Sequence, residues 1–194
     1  MTSKRYNSPD SVWASARTKG VWIVGDSITV ADYPDLVRAF LANGKPVAVD
    51  ATAGIPTRPA LDRLYQRVHK TGFPATIVVA LGTNDACTDP EGIATEVDRL
   101  TKFVPPTTRI IWVNTWAFRH WSYGPDKEGT AEVNRLIGEQ AARHRNVTVV
   151  DWHSFAGKDP HHYLRDGVHT NTTAGRGARN GIVFRAVMGL QRRG

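Results

Sequence analysis

Short, dense runs of apolar residues alternate along the chain with longer stretches in which apolar positions recur at helical spacing. The first run, Val21-Trp22-Ile23-Val24, holds three β-branched residues and predicts a buried strand over 21–25 that stops abruptly at Gly25-Asp26-Ser27. Further runs predict strands at 47–49, 76–81, 109–114 and 147–150. The run Thr76-Ile77-Val78-Val79-Ala80-Leu81 is apolar on both faces, as a central parallel strand requires. Between the runs, Leu36, Val37, Phe40 and Leu41 predict a helix over 33–41, closed by Asn43-Gly44. Leu61, Leu64, Tyr65 and Val68 predict a second helix. A third starts with Asp89 as cap and Pro90 at the first position, and runs to about Phe103. Val133, Leu136, Ile137 and Ala141 mark a fourth within 129–144, and a last helix covers about 173–190. Residues 116–126 and 151–172 read as long loops.

This alternation predicts an α/β fold, a three-layer α/β/α sandwich around a parallel sheet of about five strands. Residues 1–20 read as an N-terminal lead-in and 21–194 as one domain, with no internal repeat. Gly175, Gly177 and Gly181 lower the helix propensity of the last helix. Close packing on the sheet is the expected reason.

A chain of 194 residues can bury a sizeable core, and 41% hydrophobic with 22% charged residues is the balance of a soluble globular protein. No apolar run is long enough to span a membrane. The first twenty residues are polar and hold no secretory signal, so a cytoplasmic setting, release by a non-classical route, or origin in a longer chain is expected. The formal net charge of +7 implies affinity for anionic partners such as a cell-wall polymer or acidic glycan. Many arginines fall late, at 165, 176, 179, 185, 192 and 193, where a solvated helix face competes with a binding role. No Walker A or G-x-G-x-x-G pattern occurs, which disfavours a nucleotide, and nucleic acid is the weaker partner class. The single cysteine, Cys87, excludes an intrachain disulfide and reads as a small buried hydrophobe.

Loops that leave the carboxyl ends of parallel strands hold the ligand in folds of this kind. Four pieces fall there: Ser27, Gly54, Asn84 and Asp166-Gly167-Val168-His169. Gly-Asp-Ser alone is ordinary turn chemistry, and Thr29 in place of glycine departs from the G-x-S-x-G elbow of α/β-hydrolases. Together the pieces supply what acyl transfer by serine needs. Ser27 is the candidate nucleophile, His169 the base, and Asp166 the group that orients the imidazole. The Ser27 and Gly54 backbone N–H groups and the Asn84 amide are candidate oxyanion donors.

At these residues the chain resembles the SGNH hydrolases, the GDSL esterase/lipase superfamily. Gly25-Asp26-Ser27-Ile28 matches the first block, Gly54 stands where the second block's glycine is expected, Gly82-Thr83-Asn84-Asp85 matches G-x-N-D, and Asp166-Gly167-Val168-His169 matches D-x-x-H. The resemblance implies a flavodoxin-like sandwich and ester hydrolysis or acyl transfer without a metal or other cofactor. Leu81-Gly82-Thr83-Asn84, Trp112-Val113-Asn114-Thr115 and Val149-Val150-Asp151-Trp152 are further similar to the catalytic domains of bacterial cell-wall O-acetyltransferases. The expected activity is therefore hydrolysis of small acyl esters, acetyl above all, on a small molecule or glycan. Acyl transfer to a sugar hydroxyl is the alternative, and a non-catalytic module binding an anionic glycan is a third reading.

Asp26, Arg58, Trp116 and Trp121 are candidate substrate contacts. The aromatic stretch 116–123 could stack on a sugar, line an acyl pocket, or simply pack its loop. Asp151, His153, His161 and His162 match no established metal-ligand spacing, so no metal is expected.

Overall fold

The five apolar runs form five parallel strands, and a sixth strand joins them at one edge. The structure is a computed structural model that describes residues 5–17, 19–119, 125–170 and 173–190. In chain order, β1 (Arg5–Asn7) and α1 (Asp10–Ser15) precede β2 (Val21–Gly25), α2 (Ser27–Ala42), β3 (Val47–Thr52), α3 (Thr57–Thr71) and β4 (Thr76–Ala80). After a 3-10 turn at Asp85–Cys87 come α4 (Gly92–Phe103), β5 (Arg109–Val113), α5 (Pro125–Ala142), β6 (Val147–Val150), α6 (Trp152–Ala156), α7 (Pro160–Tyr163) and α8 (Ala174–Met188). The sheet order is β1-β3-β2-β4-β5-β6, with β1 antiparallel to β3 and every other pair parallel.

Successive strand residues point to opposite faces, and two cores result. Trp22, Val24, Ile77, Val79, Ile110 and Trp112 pack beneath α3, α4 and α5 through Leu61, Leu64, Ile93, Val97, Leu100, Val133 and Ile137. Val21, Ile23, Val49, Val78, Ile111 and Val113 pack on the other side against Leu36 and Phe40 of α2, Trp152 of α6, and Val183 and Val187 of α8. The result is the three-layer sandwich.

The stretch read from sequence as a lead-in holds β1 and α1 instead. A three-residue strand is too short to display an alternating pattern. Trp13 of α1 is 1% exposed, lies edge-on to Trp22 with ring centroids 4.9 Å apart, and donates its indole N–H to the Ser8 carbonyl at 2.9 Å. Helix α2 starts at Ser27, six residues before the apolar spacing signals it, because the Asp26 carboxylate caps it by accepting from the Ile28 N–H at 2.9 Å. Pro34 sits inside that helix and interrupts the pattern. The stretch 151–172, expected as loop, holds two one-turn helices capped by Asp151 and Asp159. Gly175 is buried, but a side chain at Gly177 would meet no atom within 4 Å, so close packing does not account for the glycine there.

The parallel register brings the strand ends level. Gly25 stands opposite Ala51 of β3 on one side and Ala80 of β4 on the other. Ser27, Gly54 and Asn84 therefore leave the sheet at the same edge, two to four residues past an aligned row.

Candidate active site

Ser27 is the first residue of α2 and is half-buried. Its N–H belongs to the first turn, whose donors have no partner inside the helix and face the positive end of the helix dipole. Across from it, residues 164–170 form a closed loop. The Arg165 N–H donates to the His169 carbonyl at 2.8 Å, and Leu164 bridges to Thr170. Inside the loop, Asp166 accepts from the His169 N–H at 2.9 Å and the Val168 N–H at 3.2 Å, while Gly167 takes φ +79°. This tight turn sets the carboxylate against the imidazole of a residue only three positions later.

The three side chains stand in series. His169 Nε2 is 2.9 Å from Ser27 Oγ, and His169 Nδ1 is 2.9 and 3.1 Å from the two Asp166 oxygens. Burial works to raise the Asp166 carboxyl. The hydrogen bonds from His169 and Val168 and the His169 charge outweigh it and hold the carboxyl down at about 2. An ionised Asp166 fixes Nδ1 as the protonated ring nitrogen and leaves the Nε2 lone pair for the serine.

The candidate oxyanion donors follow the ends of β3 and β4, level with the end of β2 that carries Ser27. Gly54 sits at φ +75° in the turn after β3, a conformation that favours glycine, with open space where a side chain would project. The Asn84 amide donates to the Ile55 carbonyl at 3.0 Å, which leaves its second N–H for a ligand. Asp85, quoted in the sequence only as part of a motif, secures both loops. It accepts from the Thr57 N–H at 3.1 Å and the Thr57 hydroxyl at 2.8 Å, tying the Asn84 turn to the start of α3.

A second buried network joins nucleophile and base from behind, and the sequence carries no signal for it. Asp32, on the same helix as Ser27, is wholly buried. Its carboxylate accepts from the Thr170 hydroxyl at 2.7 Å and from Arg179 of α8 at 3.2 Å, and its carbonyl accepts from Asn180 at 3.1 Å. Thr170 is the neighbour of His169. Burial pushes the Asp32 carboxyl up, and the Arg179 charge and the Thr170 hydrogen bond oppose it. In front, Ile28, Ala117 and Val168 form a small apolar cluster that closes the same joint.

The candidate substrate contacts divide. Asp26 is 1% exposed and serves as a helix cap, so a role in touching substrate does not fit. Arg58 pairs with the buried Glu96 at 2.8 Å and does not line the cleft that holds Ser27. Trp116 packs on Phe118 and His153 and borders a neighbouring cavity of about 500 Å³ rather than the cleft itself. Trp121 lies outside the described residues. Cys87, expected to be buried, is exposed, and its thiol donates to Asp126 at 2.8 Å. Partial desolvation of the sulfur, with the Asp126 hydrogen bond and charge, pushes the thiol up to about 11 against the Arg119 charge, so it stays protonated at neutral pH. Asp151 caps α6 and holds Asn114 at 2.8 Å, and His153 meets the Thr115 carbonyl at 3.0 Å. These two members of the histidine-rich group thus have protein partners. Among the late arginines, Arg179 is 4% exposed and belongs to the core, not to a solvated face.

A hydroxyl, an imidazole and a carboxylate in series at the strand-end rim of a parallel sheet are the apparatus of an enzyme that moves acyl groups through a serine nucleophile. The chain belongs to the GDSL-like lipase/acylhydrolase family, whose profile matches residues 23–175. It is 28% identical over 163 residues to the peptidoglycan O-acetyltransferase OatA of Listeria monocytogenes, an alignment covering 83% of this chain and 24% of that protein. The chain spans less than a quarter of the length of the curated relatives it matches. Among solved structures, the C-terminal catalytic domain of Streptococcus pneumoniae peptidoglycan O-acetyltransferase A superposes with a TM-score of 0.72 at 22% identity, covering 90% of this chain and 96% of that one. The acetylxylan esterase Axe2 of Geobacillus stearothermophilus gives a TM-score of 0.68 at 16% identity, covering 89% of this chain and 95% of that one. The described residues include no helix long and apolar enough to cross a membrane.

Proposed function

We propose that this chain is an O-acetyltransferase that carries an acetyl group on Ser27 and passes it to a sugar hydroxyl. The observation that carries the reading is the 2.9 Å contact between Ser27 Oγ and His169 Nε2, with Asp166 behind the ring. Ser27 Oγ attacks the acetyl carbonyl and gives its proton to Nε2. The Ser27 and Gly54 N–H groups and the Asn84 amide take up the negative charge on the carbonyl oxygen. The intermediate collapses when His169 returns the proton to the departing alcohol, leaving acetyl-Ser27. A sugar hydroxyl then enters, loses its proton to Nε2 and takes the acetyl group, and Nε2 passes that proton to the departing Ser27 Oγ, which restores the serine and the neutral ring. Similarity to peptidoglycan O-acetyltransferases favours a glycan acceptor over water, and cell-wall glycan is the first substrate to try.

Hydrolysis is the second reading. It uses the same acetyl-enzyme with water as acceptor, and the partial exposure of Ser27 and His169 favours it. One experiment addresses both. The acetyl-enzyme, formed from 4-nitrophenyl acetate, is offered glycan acceptors, and acetylated glycan is measured against free acetate. Ser27→Ala is expected to lower acetate-ester turnover by on the order of 10³ or more. Turnover retained in that variant would remove Ser27 from the mechanism.

A further inference from the structure

The cleft that holds Ser27 and His169, about 650 Å³ in volume, is lined by side chains of two kinds. Beside the serine lie Val30, Ala31, Ala53 and Leu164, small or apolar, a lining suited to an acetyl methyl. Arg165 and Arg176 line the same cleft, and no acidic side chain lines it among the described residues.

Both guanidinium groups are held near carboxylates without being spent on them. Arg165 is 3.5 Å from Asp166, and Arg176 is 3.6 Å from Asp32 and from Asp35. Asp166 already accepts from His169 and Val168, and Asp32 from Thr170 and Arg179. Among the described residues no hydrogen bond leaves either guanidinium, and the buried Arg176 Nε has no hydrogen-bond partner there. The buried Arg176 Nε apart, the N–H donors of two planar forks thus make long ion-pair contacts but no hydrogen bond among the described residues, and a planar fork is the geometry that grips a carboxylate or phosphate.

We propose that Arg165 and Arg176 form an anion subsite, and that the preferred substrate is a glycan carrying a carboxylate or phosphate close to the acetylated hydroxyl. The proposal rests on the acyl-transfer reading above and narrows its substrate class. It also assigns part of the net charge of +7 to the site. Arg165 is the more exposed partner, with 72% of its side chain open to solvent, and it would meet the anion first, while Arg176, anchored by α8, would fix its position.

The test compares glucose, glucuronate and glucose 6-phosphate as acceptors of the acetyl group from 4-nitrophenyl acetate, each by kcat/KM. The wild type is expected to favour at least one charged sugar by about tenfold or more, and that preference should shrink as salt rises from about 0.05 to about 0.5 M. The carboxylate and phosphate arms show which anion is read. Arg165→Gln and Arg176→Gln should each lower the charged-to-neutral ratio about five- to tenfold, and Arg165→Glu should abolish it. The ratio is internal to each variant, so a general loss of activity does not imitate the effect. If Arg176→Gln fails to fold, the two Arg165 variants decide alone. A wild-type ratio near one for both anions, or a ratio unmoved by the Arg165 changes, would overturn the subsite. Absence of Ser27-dependent acetyl release from any ester, including 4-nitrophenyl acetate, would instead overturn the acyl-transfer reading.

Discussion

Replacing Arg179 by Met tests whether Asp32 fastens the nucleophile helix to the base loop. Methionine nearly fills the volume but removes the guanidinium that sits 3.2 Å from the Asp32 carboxylate. The carboxylate would then be buried with only the Thr170 hydroxyl at 2.7 Å and the more distant Arg176 for company. Breaking one partner of a buried pair costs about 3–5 kcal/mol, a large share of the ~5–15 kcal/mol that holds a domain together. The cost has a ceiling, because the carboxyl can take up a proton. Burial already pushes Asp32 upward, and loss of Arg179 removes the largest opposing influence. A carboxyl raised in the folded state binds a proton that the unfolded chain has released, so stability falls as pH climbs from the unfolded value of about 3.9 to the folded one. Urea unfolding of wild type and Arg179→Met should therefore show a gap of about 3–5 kcal/mol at pH 8 and a clearly smaller one at pH 5. The double variant Asp32→Leu with Arg179→Met should recover much of the loss, since an apolar pair replaces an orphaned charge. A gap below about 1 kcal/mol at pH 8, or one independent of pH, would refute the idea that the pair is what holds this joint.

Asn84→Ala should lower kcat for an activated acetate ester about 10²-fold with little change in KM if the amide meets the oxyanion. An unchanged kcat would reassign Asn84 to holding the Ile55 carbonyl. Asp166 gives an acid limit. Its carboxyl is held at about 2 against an ordinary 3.8, a difference worth up to about 2.5 kcal/mol and, with 38% of the side chain exposed, nearer 1 kcal/mol after screening. Because the folded value is the lower one, that stability is present above pH ~4 and is lost as pH falls toward ~2. Asp166→Asn should flatten this part of an acid unfolding profile, and an identical profile would contradict the assignment. Gly138→Ala in α5 and Gly177→Ala in α8 place a methyl in open space on exposed helix faces and should each stabilise by about 0.5–1 kcal/mol in urea unfolding.

The sheet was legible because its strands are dense in β-branched residues, and the central ones are buried on both sides, so their composition alone marks them. Val147-Thr148-Val149-Val150 and Thr76-Ile77-Val78-Val79-Ala80 fall where the runs place them. Elements that depend on capping or on one large side chain were not legible. β1 rests on its ladder with β3, α1 on Trp13, and the first turn of α2 on the Asp26 carboxylate. The closeness of Ser27, Asp166 and His169 was inferable from motif and chain order, but Gly54 is a single glycine that shares its positive φ with Gly44 and Gly72, and only its place just past the end of β3 sets it apart.

Aspartates show why the remainder of the site was hidden. Four of them surround the Ser27–His169 pair, and their residue type is the same while their environments differ. Asp26, Asp32 and Asp85 are buried, burial raises all three, and each ties backbone or helices together: Asp26 to the Ile28 N–H, Asp32 to Thr170 and Arg179, Asp85 to Thr57. Asp166 alone is partly open to solvent and held low by the imidazole it orients. A sequence distinguishes them only where local spacing dictates the contact, as in Asp166-Gly167-Val168-His169, where three residues suffice to bring carboxylate and ring together. Asp32 meets Thr170 and Arg179 across 138 and 147 residues, and no local pattern encodes an encounter of that range. The residues that perform chemistry at the rim were thus easier to find than those that hold the rim in place, because the former are set by short turns and the latter by the packing of α8 on α2.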